Sequence, residues 1–496
     1  MGINTTKAWA DLQDAREQGH IPAALAGLAN VNLRRLGDVD AKTIEGLREQ
    51  MEAVYKARNL TRLAVSGIKL EDEKLLEIAT LGFEDVEPLQ MEDDDIKTLA
   101  SALFEGQNPQ RGKTIMIAGA RQNIQIIEEV ARICTEKGVN FVLDITDYET
   151  EMVLVNNADE AGIDRLVAER LSLYEPIRTR LEARSLPGPS IAFNPTNNDR
   201  LKKGCAPLQS RLASKAEDGM QFCLTVVPTE HDAEIDGMEM KPYMTLFVES
   251  CHQPWSEIRA AQQKLIERFN AGKKVHITND DGTDLTFDIE GFSFINEAGE
   301  YNVPGAEFFS APRRESVNGT LVAKGIFKYD DSPVIKDITL VFKDGKVVEF
   351  DAAEGKEALE QIITRDDGNG EGARYLGELA FGGNPHLRRH FLNPLLVEKV
   401  GGSFHIALGK AYNEEGTNNG NTSKSGVHWD ITTLLRGKGG KVWLDDNLIQ
   451  DERGWLDEAG QPDPDCAVLD EGWGVLPEER RPDWFREKYP DGYQDY

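Results

Sequence analysis

Apolar and polar positions change their rhythm near Lys113. Upstream, residues 41–59 and 72–81 carry apolar side chains at mixed three- and four-residue spacing, which predicts polar helices. The acidic run MEDDDIK at 91–97 reads as a connector, so the first hundred residues are expected to be a helical addition. From Lys113 the pattern is different. TIMIAGA (114–120) is an apolar run, residues 123–137 have the period of an amphipathic helix, Gly138 stops it, and NFVLDITD (140–147) is a second apolar run. Strand, helix, glycine, strand is a βαβ unit, so a parallel sheet covered by helices is expected. Gly119 stands without the other glycines of a dinucleotide fingerprint and predicts a strand-to-helix turn rather than a cofactor loop. A further helix is expected over 160–184, ended by LPGPS at 186–190, and residues 223–227 predict another strand of the same domain.

Beyond Trp255, SEIRAAQQKLIERFNAGKK predicts one long helix ending at Gly272. The chain then turns β-rich. VHITNDDGTDLTFDIEG reads as strand, turn and strand, and ITLVFKDGKVVEF (338–350) as a hairpin with Asp344-Gly345 at its turn. GGKVWLDDNLIQDERGWL (439–456) repeats that style, and the last forty residues, rich in Pro, Trp and acids, read as a wrapping tail. The predicted class is therefore α/β: an N-terminal α/β domain with a parallel sheet, followed by a β-rich α+β domain. The expected divisions are a helical extension (1–105), the α/β domain (106–255), the β-rich domain (256–456) and the acidic tail (457–496).

Composition narrows the partners. The 496 residues include 56 Lys+Arg against 86 Asp+Glu, a formal net charge of −30. Such a surface repels phosphate, so neither nucleic acid nor an anionic membrane is expected as a partner. No run approaches the roughly 18–20 apolar residues of a membrane span. MGINTT formally fits an N-myristoylation pattern, but the start has neither the apolar core of a secretory signal nor the acid-poor composition of a transit peptide. Five scattered cysteines without a C-x-x-C pair form neither a disulfide framework nor a zinc clip, and a reducing cytoplasm is the expected compartment. The motifs of zinc-helix proteases, P-loop ATPases, α/β-hydrolases and kinases are absent.

Three short runs carry candidate chemistry. In a strand, His428 and Asp430 of VHWDITTLL (427–435) share one face while Trp429 takes the other. An imidazole beside a carboxylate is half of a divalent-metal site. His405 lies in the apolar run SFHIALG (403–409) and Glu378 in ARYLGELAFGG (373–383), where an unpartnered polar group is costly. Each has a plainer reading: His405 as a hydrogen-bonded core histidine, Glu378 as the partner of an arginine such as Arg374, His428 and Asp430 as a satisfied polar pair. Together they form a cysteine-free set of nitrogen and oxygen ligands that suits zinc, cobalt or manganese. PHLRRHF places His386 and His390 four apart, but Arg388 and Arg389 would oppose a cation there, so a surface helix is expected.

With these runs in this order, the chain resembles the aminopeptidase T family of metallopeptidases. The resemblance covers roughly 110–456 and is densest in GTDL (282–285), PGAEFFSAPRRESVNG (304–319), ARYLGELAFG, LLVEKVGGSFHIALGKAY (395–412) and VHWD. It implies a cytoplasmic, dimeric exopeptidase that removes N-terminal residues from peptides, with two divalent ions (Zn, Co or Mn) and a hydroxide bridging them as nucleophile. It places metal ligands on Glu307, Glu378, Glu398, His405, His428 and Asp430, with Glu378 bridging the two ions and serving in catalysis. It also places Tyr412 beside the reacting carbonyl and the dimer contact in the C-terminal part. The charges agree: four carboxylates nearly cancel two divalent ions, and two neutral imidazoles complete the shells. The chain departs from the family at Gly305-Ala306-Glu307, where Gly-Glu is usual, and in the polar loop GTNNGNTSKSG between His405 and His428.

Two other functions stay open on the sequence. His405, His428 and Asp430 would also satisfy the facial triad of a mononuclear iron ring-cleaving dioxygenase, although Glu307 and Glu378 would then be superfluous. A non-catalytic oligomeric binding protein would need none of the set.

Overall fold

The computed structural model describes residues 38–39, 43–212, 218–329, 332–412 and 416–493. The myristoylation-like start and most of the first 42 residues of the expected extension lie outside them. The chain divides into two compact units, Met1–His231 and Asp232–Tyr496.

The first unit is built on one sheet in the order β1-β3-β2-β4-β5. Strands β2 (Thr114–Ala120), β3 (Asn140–Thr146), β4 (Thr179–Arg184) and β5 (Gln221–Val226) are parallel, and the two-residue β1 (Asp38–Val39) pairs antiparallel at the edge. Six of the seven β2 residues are buried, as expected of a strand covered on both faces, which is why it reads as an unbroken apolar run. Gly119 lies within β2 rather than in the turn after it. A Cβ there would stand 2.2 Å from the Ala183 carbonyl oxygen of β4, so close strand contact is what requires glycine.

The helix expected over 160–184 ends at Tyr174, and its last part is β4 instead. Charged residues inside a buried strand mislead the period: Glu182 is buried, with Arg180 2.6 Å away. The helix expected at 41–59 runs from Leu47 to Ser66 for a similar reason. Its inner face carries Arg58 and Arg62, both buried. Arg58 pairs with Asp144 of β3 and, at 3.1 Å, with Glu169, while Arg62 pairs with Glu151 at 2.6 Å. Helices Asp72–Thr80 and Asp93–Gln107 follow.

The second unit holds two antiparallel sheets. Eight strands are ordered β12-β11-β10-β7-β6-β16-β17-β18: β6 (Lys274–Thr278), β7 (Asp284–Asp288), β10 (Asn318–Phe327), β11 (Ile335–Lys343), β12 (Lys346–Glu354), β16 (Lys441–Leu444), β17 (Asn447–Asp451) and β18 (Gly454–Trp455). Five more are ordered β15-β14-β13-β9-β8: β8 (Ile295–Glu297), β9 (Glu307–Ser310), β13 (Leu376–Gly382), β14 (Ser403–Gly409) and β15 (His428–Leu434). The expected hairpin is β11–β12, and Asp344 and Gly345 take φ of 49° and 81°, the left-handed pair of a two-residue turn. The long helix spans Trp255–Ala271. Its Phe269 meets Phe308 and Phe381 at ring-centroid distances of 5.3 and 5.0 Å, so one face of the five-stranded sheet is welded into the apolar core.

The PHLRRHF segment forms no helix. His386 is buried in a turn after β13, 3.2 Å from the Glu249 carboxylate, so the expected surface helix is replaced by a buried polar contact. Among the described residues no helix is long and apolar enough to cross a membrane.

Candidate metal centre

The register of the five-stranded sheet decides which side chains meet. His405 on β14 stands opposite Ala380 of β13 and Thr432 of β15. Gly382 of β13 stands opposite Glu307 of β9. Opposed residues, and residues two apart on one strand, share a face. Glu307, Glu378, His405, His428 and Asp430 therefore all leave the sheet on the side away from Phe308, Phe381 and Phe404. Between them on that face stand small residues: Ala380, Gly382 and Ala407. The alternation of ligand type and small side chain in LGELAFG and FHIALG is what leaves room for the polar groups to converge.

The distances form a chain. His428 Nε2 lies 3.7 Å from Asp430 Oδ1 and 3.3 Å from Glu378 Oε2. Glu378 Oε1 lies 3.7 Å from His405 Nε2, which lies 3.5 Å from Glu307 Oε2. Glu378 thus offers one oxygen to each imidazole. These separations are long for hydrogen bonds. They match two ligands on one ion, since metal bonds of about 2.1 Å at a tetrahedral angle put ligand atoms roughly 3.4 Å apart. Glu378, His428 and Asp430 each present a ligand atom, all within 4.8 Å of one another. Glu307 Oε2, Glu378 Oε2 and Asp430 Oδ1 are buried without a hydrogen-bond partner, the state expected of atoms whose natural partner is an ion. The Nδ1 of His428 does have one, the Lys410 carbonyl oxygen at 2.7 Å, which fixes the ring with Nε2 facing the carboxylates.

Electrostatics tell the same story. Burial alone would push both imidazoles down, yet Glu378 and Glu307 raise His405 to about 9, and Asp430 and Glu378 raise His428 to about 10. Burial pushes Glu378 up, but the two imidazoles more than offset this and hold it far below the usual carboxylate range. Glu307 and Asp430 are driven upward, first by burial and then by neighbouring acids. The carboxylates crowd together more negative charge than they tolerate, and protons on the imidazoles supply positive charge where cations would.

One plainer reading, an arginine partner for Glu378, fails on contacts. Arg374 is held by Asp367 at 2.6 Å rather than by Glu378, whose partners are the two imidazoles. Glu398 stands one step out, at the end of helix Pro394–Glu398, and meets Lys399 Nζ at 3.2 Å rather than an imidazole. Tyr412 flanks the cluster, its ring centroid 5.1 Å from His428 and 4.9 Å from Phe309. Burial and the nearby acids raise its phenol well above its ordinary value. Ala306, at the departure from the Gly-Glu pattern, takes φ of 86°, a left-handed conformation suited to glycine. Lys399 was missed by sequence reasoning. Its signal is a charged pair, Glu398-Lys399, set inside the otherwise apolar LLVEKVGG.

A parallel sheet in one unit, and in the other an antiparallel sheet with a buried nitrogen-and-oxygen cluster on one face, define a protein with a candidate divalent-metal centre. The chain belongs to the thermophilic metalloprotease (M29) family, whose model matches residues 92–435. It is 39% identical over 129 residues to aminopeptidase 2 of Geobacillus stearothermophilus, covering 25% of this chain and 29% of that one. It is 32% identical over 146 residues to aminopeptidase T of Thermus aquaticus, covering 27% and 34%. These alignments span about a third of the curated relatives' length. The structure of wild-type AmpT from Thermus thermophilus superposes with a TM-score of 0.59 at 21% identity, over 73% of this chain and 99% of that one, and so shares the fold.

Proposed function

We propose that the protein is a metal-dependent aminopeptidase that hydrolyses the N-terminal residue from peptides. The observation that carries this reading is Glu378, buried between two imidazoles with one oxygen towards each, the arrangement of a carboxylate that bridges two cations. A mononuclear facial triad of His405, His428 and Asp430 has no use for an acid in that place.

Asp430, His428 and one oxygen of Glu378 would hold one ion; His405, Glu307 Oε2 and the other oxygen of Glu378 would hold a second, and Glu398, paired with Lys399, would be an outer carboxylate. When bound, such a pair of zinc, cobalt or manganese ions supplies an activated water and a Lewis acid for the scissile carbonyl. The chain's own residues do the rest. Tyr412, kept protonated by burial and by the acids around it, donates a hydrogen bond to the oxygen that becomes anionic. A site carboxylate carries the proton to the leaving amine. Family membership and the relatives' names support the peptide substrate. The reading also takes in a homodimer and a cytoplasmic location, the latter supported by five buried free cysteines.

The test is release of a chromogenic amine from aminoacyl anilides, together with metal analysis. About two divalent ions per chain, and turnover abolished by chelator and by Glu378→Gln, support the proposal. No hydrolysis across a broad amino-acid panel, with zinc, cobalt and manganese each supplied, refutes it.

A further inference from the structure

Lys399 is wholly buried beside the cluster, yet it is not one of the ligand residues. Its Nζ donates to Glu307 Oε1 at 2.5 Å and to Glu398 Oε2 at 3.2 Å. The other oxygen of Glu307, Oε2, has no donor and faces His405. The lysine therefore divides Glu307 between two tasks, one oxygen for the ammonium and one for the cluster. Its backbone is fixed as well. The Lys399 carbonyl oxygen accepts from the Asn384 amide at 2.8 Å. A Cβ on Gly382 would stand 2.4 Å from the Val400 carbonyl oxygen and 2.8 Å from that of Glu398, so only a glycine lets this segment lie against β13.

A buried ion pair is seldom retained for stability alone, because apolar groups of similar volume pack as well. Charge counting suggests what it does here. Four carboxylates balance two divalent ions, and Lys399 adds one positive charge to that sum. We propose that Lys399 is a positioning residue of this site: it restricts Glu307 and Glu398 to one free oxygen each and weakens the cluster's grip on divalent ions. The proposal rests on the metal-site reading above and goes beyond it by assigning a residue outside the ligand set.

The experiment measures Zn²⁺ and Mn²⁺ dissociation constants by competition with a chromogenic chelator, in wild type, Lys399→Met and the double variant Glu398→Gln/Lys399→Met. Without the ammonium, Glu307 is free to chelate with both oxygens. Lys399→Met is expected to bind the ions at least about tenfold more tightly, because a buried charge a few ångströms away is lost. It is also expected to turn over an aminoacyl anilide at least about tenfold more slowly at little-changed KM. The double variant restores the net charge and returns the affinity towards wild type. Unchanged or weaker binding in Lys399→Met overturns the proposal, since a merely structural lysine would lower stability without tightening the site. Should Lys399→Met fail to fold, a crystal structure of metal-loaded wild type decides. Glu307 bound through Oε2 alone, with Lys399 on Oε1, supports the assignment, and both oxygens on an ion overturn it. A wild-type chain that binds no divalent ion overturns the site reading and this proposal together. Ion binding without peptide hydrolysis removes only the aminopeptidase reading.

Discussion

At the scale of single residues, Glu378 and Tyr412 carry the sharpest expectations. Glu378 is 1% exposed and stands between two imidazoles, with one oxygen towards each. Glu378→Gln preserves size but removes the charge, so activity on aminoacyl anilides is expected to fall at least about a thousandfold. The folded state, checked by circular dichroism, should persist. In the proposed reaction Tyr412 acts only as charge develops on the substrate oxygen. Tyr412→Phe is therefore expected to lower kcat by about 10²–10³, the effect of one lost oxyanion donor, with KM little changed. Steady-state kinetics separates the two outcomes, and a rise in KM at constant kcat would show that the phenol binds ground-state substrate instead.

Elements set the distances that these residues use. β13, β14, β15 and β9 bring five polar side chains to one face only because Ala380, Gly382 and Ala407 stand between them. Gly382→Ala should push the segment 398–400 away from the sheet, since the new Cβ meets backbone at 2.4 Å. A loss of about 1–3 kcal/mol in stability is expected from such overpacking, with reduced kcat, measured by urea denaturation and kinetics. In the first unit, helix Leu47–Ser66 is joined to β3 by Arg58 and Asp144. Burial pushes the Asp144 carboxyl up, but Arg58 reverses this and holds it far below its ordinary range. A depressed folded-state pKa gives stability that is full at neutral pH and is lost as pH falls below about 4. Arg58→Met leaves Asp144 buried without its guanidinium, and a cost of about 3–5 kcal/mol is expected at pH 7. That gap should narrow as acid protonates the carboxylate, which keeps the Tyr174 hydroxyl as a donor. Urea titrations between neutral pH and pH 3 follow it, and a gap that widens on acidification would show that Asp144 is not the group responsible.

For the whole molecule, the excess of acids is the dominant fact: the chain carries a formal net charge of −30, and part of that excess is gathered in the candidate metal centre. Divalent ions that bind only the folded chain add stability as RT ln(1 + [L]/Kd), about 2.7 kcal/mol at a hundredfold excess over Kd. Chelation is thus expected to lower the melting temperature of the wild type by several degrees. In Glu378→Gln the same treatment should have a much smaller effect. Calorimetry with and without chelator measures this, and equal shifts in the two proteins would place the stabilising ion elsewhere.

What the sequence determined by itself was local. The βαβ unit was legible because buried parallel strands are unbroken apolar runs, and the Asp344-Gly345 hairpin because few residues other than glycine, asparagine and aspartate accept its left-handed turn. His428 and Asp430 were legible as a pair because two residues apart on one strand always share a face. Where charges are buried, the period failed: β4 was hidden by Arg180 and Glu182, and helix Leu47–Ser66 was displaced by its inward-facing arginines. Strand register, which no local pattern encodes, brought Glu307, Glu378 and His405 to the same face as that pair. The chain's return from helix Pro394–Glu398 across Gly382 set Lys399 against Glu307. Periodicity records what a residue's neighbours along the chain demand of it, whereas a cation site depends on atoms from distant segments meeting within a few ångströms, and only the packed sheet provides that.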